Sequence, residues 1–215
     1  EDGAAVSEAA IAASARVFET KTYPTDRRYF GTQWFPGPDD DPHITVLNAR
    51  YLGQYYGGYF SSEDEFPRAV SPYSNERQMI YINLASGIGR PGTSEYDSTI
   101  AHEFQHMISF NQHVLQKGSG QENVWLNEGL SHFAEELGGG KIPDSRYYNN
   151  DCLTQFAADN LVNAYDYFTD IEGTYLVAPS QSTGLLKERG AGWLFVRWLA
   201  DHFGSDQFGT NITRL

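Results

Sequence analysis

The chain has 215 residues, with 15 Lys and Arg against 28 Asp and Glu, for a formal net charge of −13. That length can bury a sizeable core, and a composition 40% hydrophobic and 20% charged excludes wholesale disorder. Nucleic acid and anionic membrane surfaces are poor partners for so acidic a chain, because their phosphates repel it. The lone Cys152 excludes an intrachain disulfide and a cysteine-built zinc site. No run approaches the ~18 uncharged apolar residues of a membrane span; the longest, 193–200, is interrupted by Arg197. A start at Glu1 and a stop at Leu215 read as a mature or trimmed chain.

The first predicted element is an Ala-rich helix over 4–19, which Pro24 should end if it continues that far. A turn-rich stretch follows. It contains Asp39, Asp40 and Asp41, carboxylates of the kind Ca²⁺ takes. They lack the spacing of a calcium loop, so a solvated turn is expected. Residues 44–48 read as a strand by β-branched content, and the Tyr- and Gly-rich 51–60 as a loop or second strand. A further strand is expected at 78–84, closed by Gly87, Gly89, Pro91 and Gly92.

From Ser94 the period becomes helical. Ser94 with Asp97 resembles a capping box, and Tyr96, Ile100, Phe104 and Ile108 form a buried stripe. A second helix is expected over 124–137, apolar on Leu126, Leu130, Phe133 and Leu137 and ended by Gly138, Gly139 and Gly140. A third runs over 151–163 from the cap-like Asn149, Asn150 and Asp151. The last, 190–203, reads as apolar all round, with Trp193 and Trp198 in the core. Strands in the first half and helices in the second give an α+β chain in two lobes, divided near residues 113 and 114.

His102, Glu103 and His106 carry the chemistry. Residues four apart on a helix share a face about 6 Å apart, so two imidazoles there can hold one Zn²⁺. Glu103 between them can reach a water on the metal. Three protein ligands plus water is the usual catalytic zinc arrangement. The metzincin pattern would place a Gly and a third His at positions that are here Ser109 and Gln112. His113 lies about 10 Å up the axis from His106 and cannot reach the same ion from an unbroken helix. The other source is the polar face of helix 124–137, which carries Asn127, Glu128, Ser131 and Glu135.

His102-Glu103-x-x-His106 followed by Asn127-Glu128-Gly129 resembles the gluzincin metallopeptidases, the thermolysin-like and aminopeptidase-like zinc enzymes. A closer resemblance is to the hyicolysin-type secreted bacterial metallopeptidases, through 102–108 (HEFQHMI), 125–137 (WLNEGLSHFAEEL) and 190–204 (GAGWLFVRWLADHFG). The resemblance implies a two-lobed zincin fold and a secreted zinc endopeptidase. It maps the zinc ligands onto His102, His106 and Glu128, and the general base onto Glu103. It also implies an edge strand that holds substrate as an added β-strand, a role that falls to 78–84. An oxyanion donor is expected after the third ligand, among Tyr165, Tyr167, Tyr175 and His202. Thermolysin-like enzymes have an Asp four residues past the Glu ligand, to orient a zinc histidine. Here that residue is His132. Asn127, Ser131 and Glu135 are the other candidates for the task. A binding or adhesion module on a zincin scaffold is the alternative, and a zinc hydrolase of non-peptide amides a lesser one. The intact Glu103 argues against a binding module, because a site that only holds metal does not need it.

Overall fold

The computed structural model describes residues 6–53, 57–85, 89–138, 157–177 and 184–204. Helix α1 (Glu8–Val17) starts where Ser7 accepts a hydrogen bond from the Ala10 N–H. It does not end at Pro24. The chain widens into a π turn over Phe18–Thr22 and continues as α2 (Tyr23–Phe30), with Pro24 in its first turn. The widened π turn accommodates a residue that has no N–H to donate. Gly31 (φ 105°) stops the helix.

Strands β1 (Thr45–Ala49), β2 (Gly58–Phe60) and β3 (Met79–Asn83) form one sheet in the order β1-β3-β2. β3 pairs in parallel with β1 and antiparallel with β2, and all five of its residues are buried. The strand expected to offer substrate an edge is therefore central, with its backbone bonded on both sides. Residues 78–84 leave no ladder for an added strand. The sheet's edges are β1 and β2. Gly87 and residues 54–56 lie outside the described residues.

Helix α3 (Ser94–Phe110) is capped by Thr93, whose hydroxyl accepts from the Tyr96 N–H, and not by Ser94. A π turn (Asn111–Gln116) extends it. The stripe Tyr96, Ile100, Phe104 and Ile108 is buried against the sheet and α2. Helix α4 (Val124–Gly138) packs on α3 through Phe133 and Leu137, and Gly138 still belongs to it. Gly139, Gly140, Cys152 and the start expected at 149–151 lie outside the described residues. The third helix is seen as α5 (Ala158–Thr169). Helix α6 (Leu186–Phe203) packs on both α4 and α5. It is not apolar all round. Trp193 is buried, but Trp198 is 46% exposed. Five residues turn a helix by about 140°, so the two indoles cannot share a face. The whole is α+β: helices against a small mixed sheet.

Two contacts lock α4 to α6. Glu136 is fully buried and accepts from Trp193 Nε1 at 3.1 Å and from Arg197. Gly129 allows backbones to touch. A Cβ there would stand 2.9 Å from the Gly192 carbonyl, and one on Gly192 would stand 3.1 Å from the Trp125 oxygen. Alanine is favoured over glycine in a helix by about 1 kcal/mol, but overpacking costs about 1–3 kcal/mol. Gly129→Ala is therefore expected to lower stability by up to about 2 kcal/mol in a denaturant titration. A variant more stable than the parent would mean that the two helices separate freely.

Candidate functional site

His102 and His106 sit one turn apart on α3 and face α4, whose polar side returns Glu128 to them. His102 Nε2 is 3.4 Å from Glu128 Oε2, and His106 Nε2 is 3.9 Å from Glu128 Oε1. One ligand atom from each lies within 4.8 Å of the others. Three atoms at about 2.0–2.2 Å from a tetrahedral ion stand roughly 3.4 Å from one another, so this donor set fits zinc. His102 and Glu103 are 7% and 6% exposed, so both are nearly closed off from bulk solvent.

The outer nitrogens are held as well. His102 Nδ1 lies 2.7 Å from Glu135 Oε1, and His132 Nδ1 lies 3.0 Å from the same oxygen. Asn160 of α5 donates to Glu135 Oε2 at 3.0 Å. Ser131 Oγ is 3.0 Å from Nδ1 of His106 and 3.4 Å from Nε2, and the nearer nitrogen takes the bond. Ser131 in turn donates to Gln105 Oε1 at 2.5 Å. With Nδ1–H donors on both histidines, the Nε2 lone pairs would be free for a metal ion; without one, His102 Nε2 pairs with Glu128. Asn127 follows the same helix face and lines the cleft.

The charges interlock. Burial opposes a charge on His102, but its hydrogen bonds to Glu128 and Glu135 outweigh that and raise it well above the usual imidazole value. Burial would raise Glu128 and Glu135. Glu128 is held far below the carboxylate range by His102, His106 and Arg189, and Glu135 is held low by His132 and His102. Arg189 Nη1 on α6 reaches Glu128 Oε2 at 2.9 Å. Burial and the neighbouring His102 bring His106 down to about 4, against the pull of Glu128. Burial brings Glu103 up to about 7, opposed by His102 and by a hydrogen bond from the Phe60 N–H.

A cleft of about 290 Å³ opens on these groups. Its walls include Gly58, Tyr59 and Phe60 of β2, Ser109, Glu122, Asn127 and Arg189. The outer edge of β2 borders the cleft, the position that sequence reasoning assigned to 78–84. None of the four expected oxyanion donors lines it. Tyr165 and Tyr175 are 69% and 61% exposed, Tyr167 packs on Phe168, and His202 bonds the Trp198 carbonyl. His113 pairs with Glu122 at 3.2 Å and not with the histidine pair. The Asp39, Asp40 and Asp41 turn is local: Asp41 accepts from the His43 N–H at 3.0 Å, and Asp39 faces Arg77 at 3.7 Å. Arg189, Glu122 and Asn160 escaped the sequence reading, since nothing in the local pattern brings α5, α6 or the loop before α4 to α3.

No family model matches the chain. The chain is 29% identical over 173 residues to the neutral metalloprotease ShpI of Staphylococcus hyicus, covering 75% of this chain. The chain is similar to a metallopeptidase. It spans 38% of that relative's length. A metallopeptidase relationship and a His/Glu cluster of metal-binding geometry thus coincide in one chain. Among the described residues, no helix is long and apolar enough to cross a membrane.

Without metal, Glu103 and His106 shift the pH dependence of stability in opposite directions. With Glu103 at about 7, above its ordinary 4.5, the folded state keeps a proton that the unfolded chain releases. Stability then falls as pH rises from about 4.5 to about 7. With His106 at about 4, below its ordinary 6.5, the opposite holds, and stability rises from pH 4 to 6.5. In metal-free protein, Glu103→Gln should remove only the falling part. The variant should gain on the parent by at most ~1.4 kcal/mol per pH unit between 4.5 and 7. Parallel stability curves for the two would show that Glu103 titrates normally.

Proposed function

We propose that this chain is the catalytic part of a zinc-dependent endopeptidase. His102, His106 and Glu128 hold the metal in a zincin-like fold, with the sheet-bearing lobe up to about residue 113 and the helical lobe beyond it. The observation that carries the reading is Glu103. It lines the same cleft as the three ligands, between them and the free edge of β2, where a site that only stores metal needs no carboxylate. Zinc at this position supplies Lewis-acid polarisation of a carbonyl and brings the ionisation of water near pH 7.

The chain's own groups do the rest. Glu103 takes the proton as water attacks the scissile carbonyl, then passes it to the leaving amine. Its raised basicity suits both transfers. Glu135 and Ser131 fix the two imidazoles, and Arg189 fixes Glu128. The substrate is an extended peptide laid antiparallel or parallel along β2, whose outer edge pairs with no other strand among the described residues and whose Phe60 N–H meets Glu103. The similarity to a bacterial metalloprotease and the strongly acidic surface accord with a secreted protein.

The purified chain should carry about one zinc per molecule and digest casein. Chelator should abolish digestion, and added zinc should restore it. Glu103→Gln should lose at least about 100-fold in kcat with zinc still bound, whereas His106→Ala should lose both. Substantial turnover by the Glu103 variant would overturn the general-base assignment. Zinc binding without hydrolysis of any peptide would favour the binding-module reading. Glu135→Ala should weaken zinc affinity by about 10–100-fold in a competition titration with a chelating dye. An unchanged affinity would mean that the Glu135 contact does not support the ligand.

A further inference from the structure

The cleft continues past the histidine pair. Ser109 and Phe110 lie three and four residues after His106, so they extend the same wall of α3 by one turn. Opposite them stands Glu122, on the loop before α4. Its side chain is 15% exposed and faces the cleft. Two groups fix it: Ser109 Oγ donates to Oε2 at 3.3 Å, and His113 Nε2 lies 3.2 Å from Oε1. The rings of Phe60 and Phe110, with centroids 6.1 Å apart, also belong to this end of the cleft.

We infer that Glu122 selects a cationic substrate side chain, Lys or Arg, at one position beside the scissile bond. The inference rests on the endopeptidase reading above and supplies its substrate class. A long basic side chain matches both parts of the subsite. Its methylene stem packs on the Phe60 and Phe110 rings, and its charged head reaches the carboxylate. An apolar side chain would bury Glu122 with less solvent and no new partner, which costs the desolvation of a charged group. An acidic one would meet Glu122 and the −13 field of the whole chain. That same field concentrates cationic peptides near the surface. Burial raises the Glu122 carboxyl, opposed by His113, and an arriving cation favours its charged form.

The test uses quenched fluorescent peptides on the zinc-loaded chain. They are identical except for Lys, Arg, Leu or Glu at each position flanking the bond in turn. At one position Lys and Arg should exceed Leu and Glu in kcat/KM by about tenfold or more. Glu122→Gln should bring that ratio close to one, and Glu122→Asp should keep part of it. Absence of a basic preference at every position overturns the inference, as does a preference that survives Glu122→Gln. A second readout needs no turnover: affinity of the same peptides for Glu103→Gln protein, measured by fluorescence polarisation. The Lys peptide should bind about tenfold tighter than the Leu peptide, and the Glu103→Gln, Glu122→Gln double variant should lose the difference. Equal binding overturns the inference. If the zinc-loaded chain cleaves no peptide, the endopeptidase reading fails and the binding arm still decides the fate of the Glu122 subsite.

Discussion

One carboxylate oxygen, Glu135 Oε1, receives two imidazoles, His102 from α3 and His132 from its own helix. The other oxygen receives Asn160 from α5. Three helices therefore meet at a single, largely covered carboxylate. The constraint runs outward from there. His102 is held with its far nitrogen toward Glu128, Glu128 is held by Arg189 of α6, and α6 is held to α4 by Glu136 and the Gly129 contact. Removal of one buried partner from such a network strands the others, which is why each member is costly to replace. The helices are thus not a passive frame for the histidines. Their packing sets the spacing of the donor atoms.

The same network shows how a site with several carboxylates is kept from repelling itself. Glu128 and Glu135 stay charged because each faces a histidine at close range, and Glu128 also faces an arginine. Glu103, with no ion pair among the described residues, is the one that burial makes more basic. Two of these carboxylates are held charged and the third is made more basic, and environment alone separates them.

The sheet plays a smaller but decisive part. Its order places β3 in the middle and β2 at the rim of the cleft, so that an amide of β2 touches Glu103. The Tyr59 and Tyr81 rings stack at 4.5 Å across the β2–β3 pair and brace the short edge strand. β2 has only three residues. A short edge strand leaves little open backbone to aggregate.

The local geometry of the candidate site was legible in the sequence. A period of 3.6 residues puts His102 and His106 on one side of α3 and buries Tyr96, Ile100, Phe104 and Ile108 on the other, whatever the rest of the chain does. Helix α4 could be read from its own apolar stripe in the same way. Four things were decided by tertiary structure. Pro24 did not end a helix, because a π turn absorbed it. Trp198 turned outward, because α6 buries only one face. The strand at 78–84 became central, because pairing order is set by what packs on either side and not by a strand's own residues. And Glu135, rather than the residue four past Glu128, braces His102, with Arg189 and Asn160 arriving from α6 and α5. Periodicity determines what a helix presents, since it follows from local geometry. Which other helix meets that face depends on contacts between residues tens of positions apart, for which the sequence carries no period.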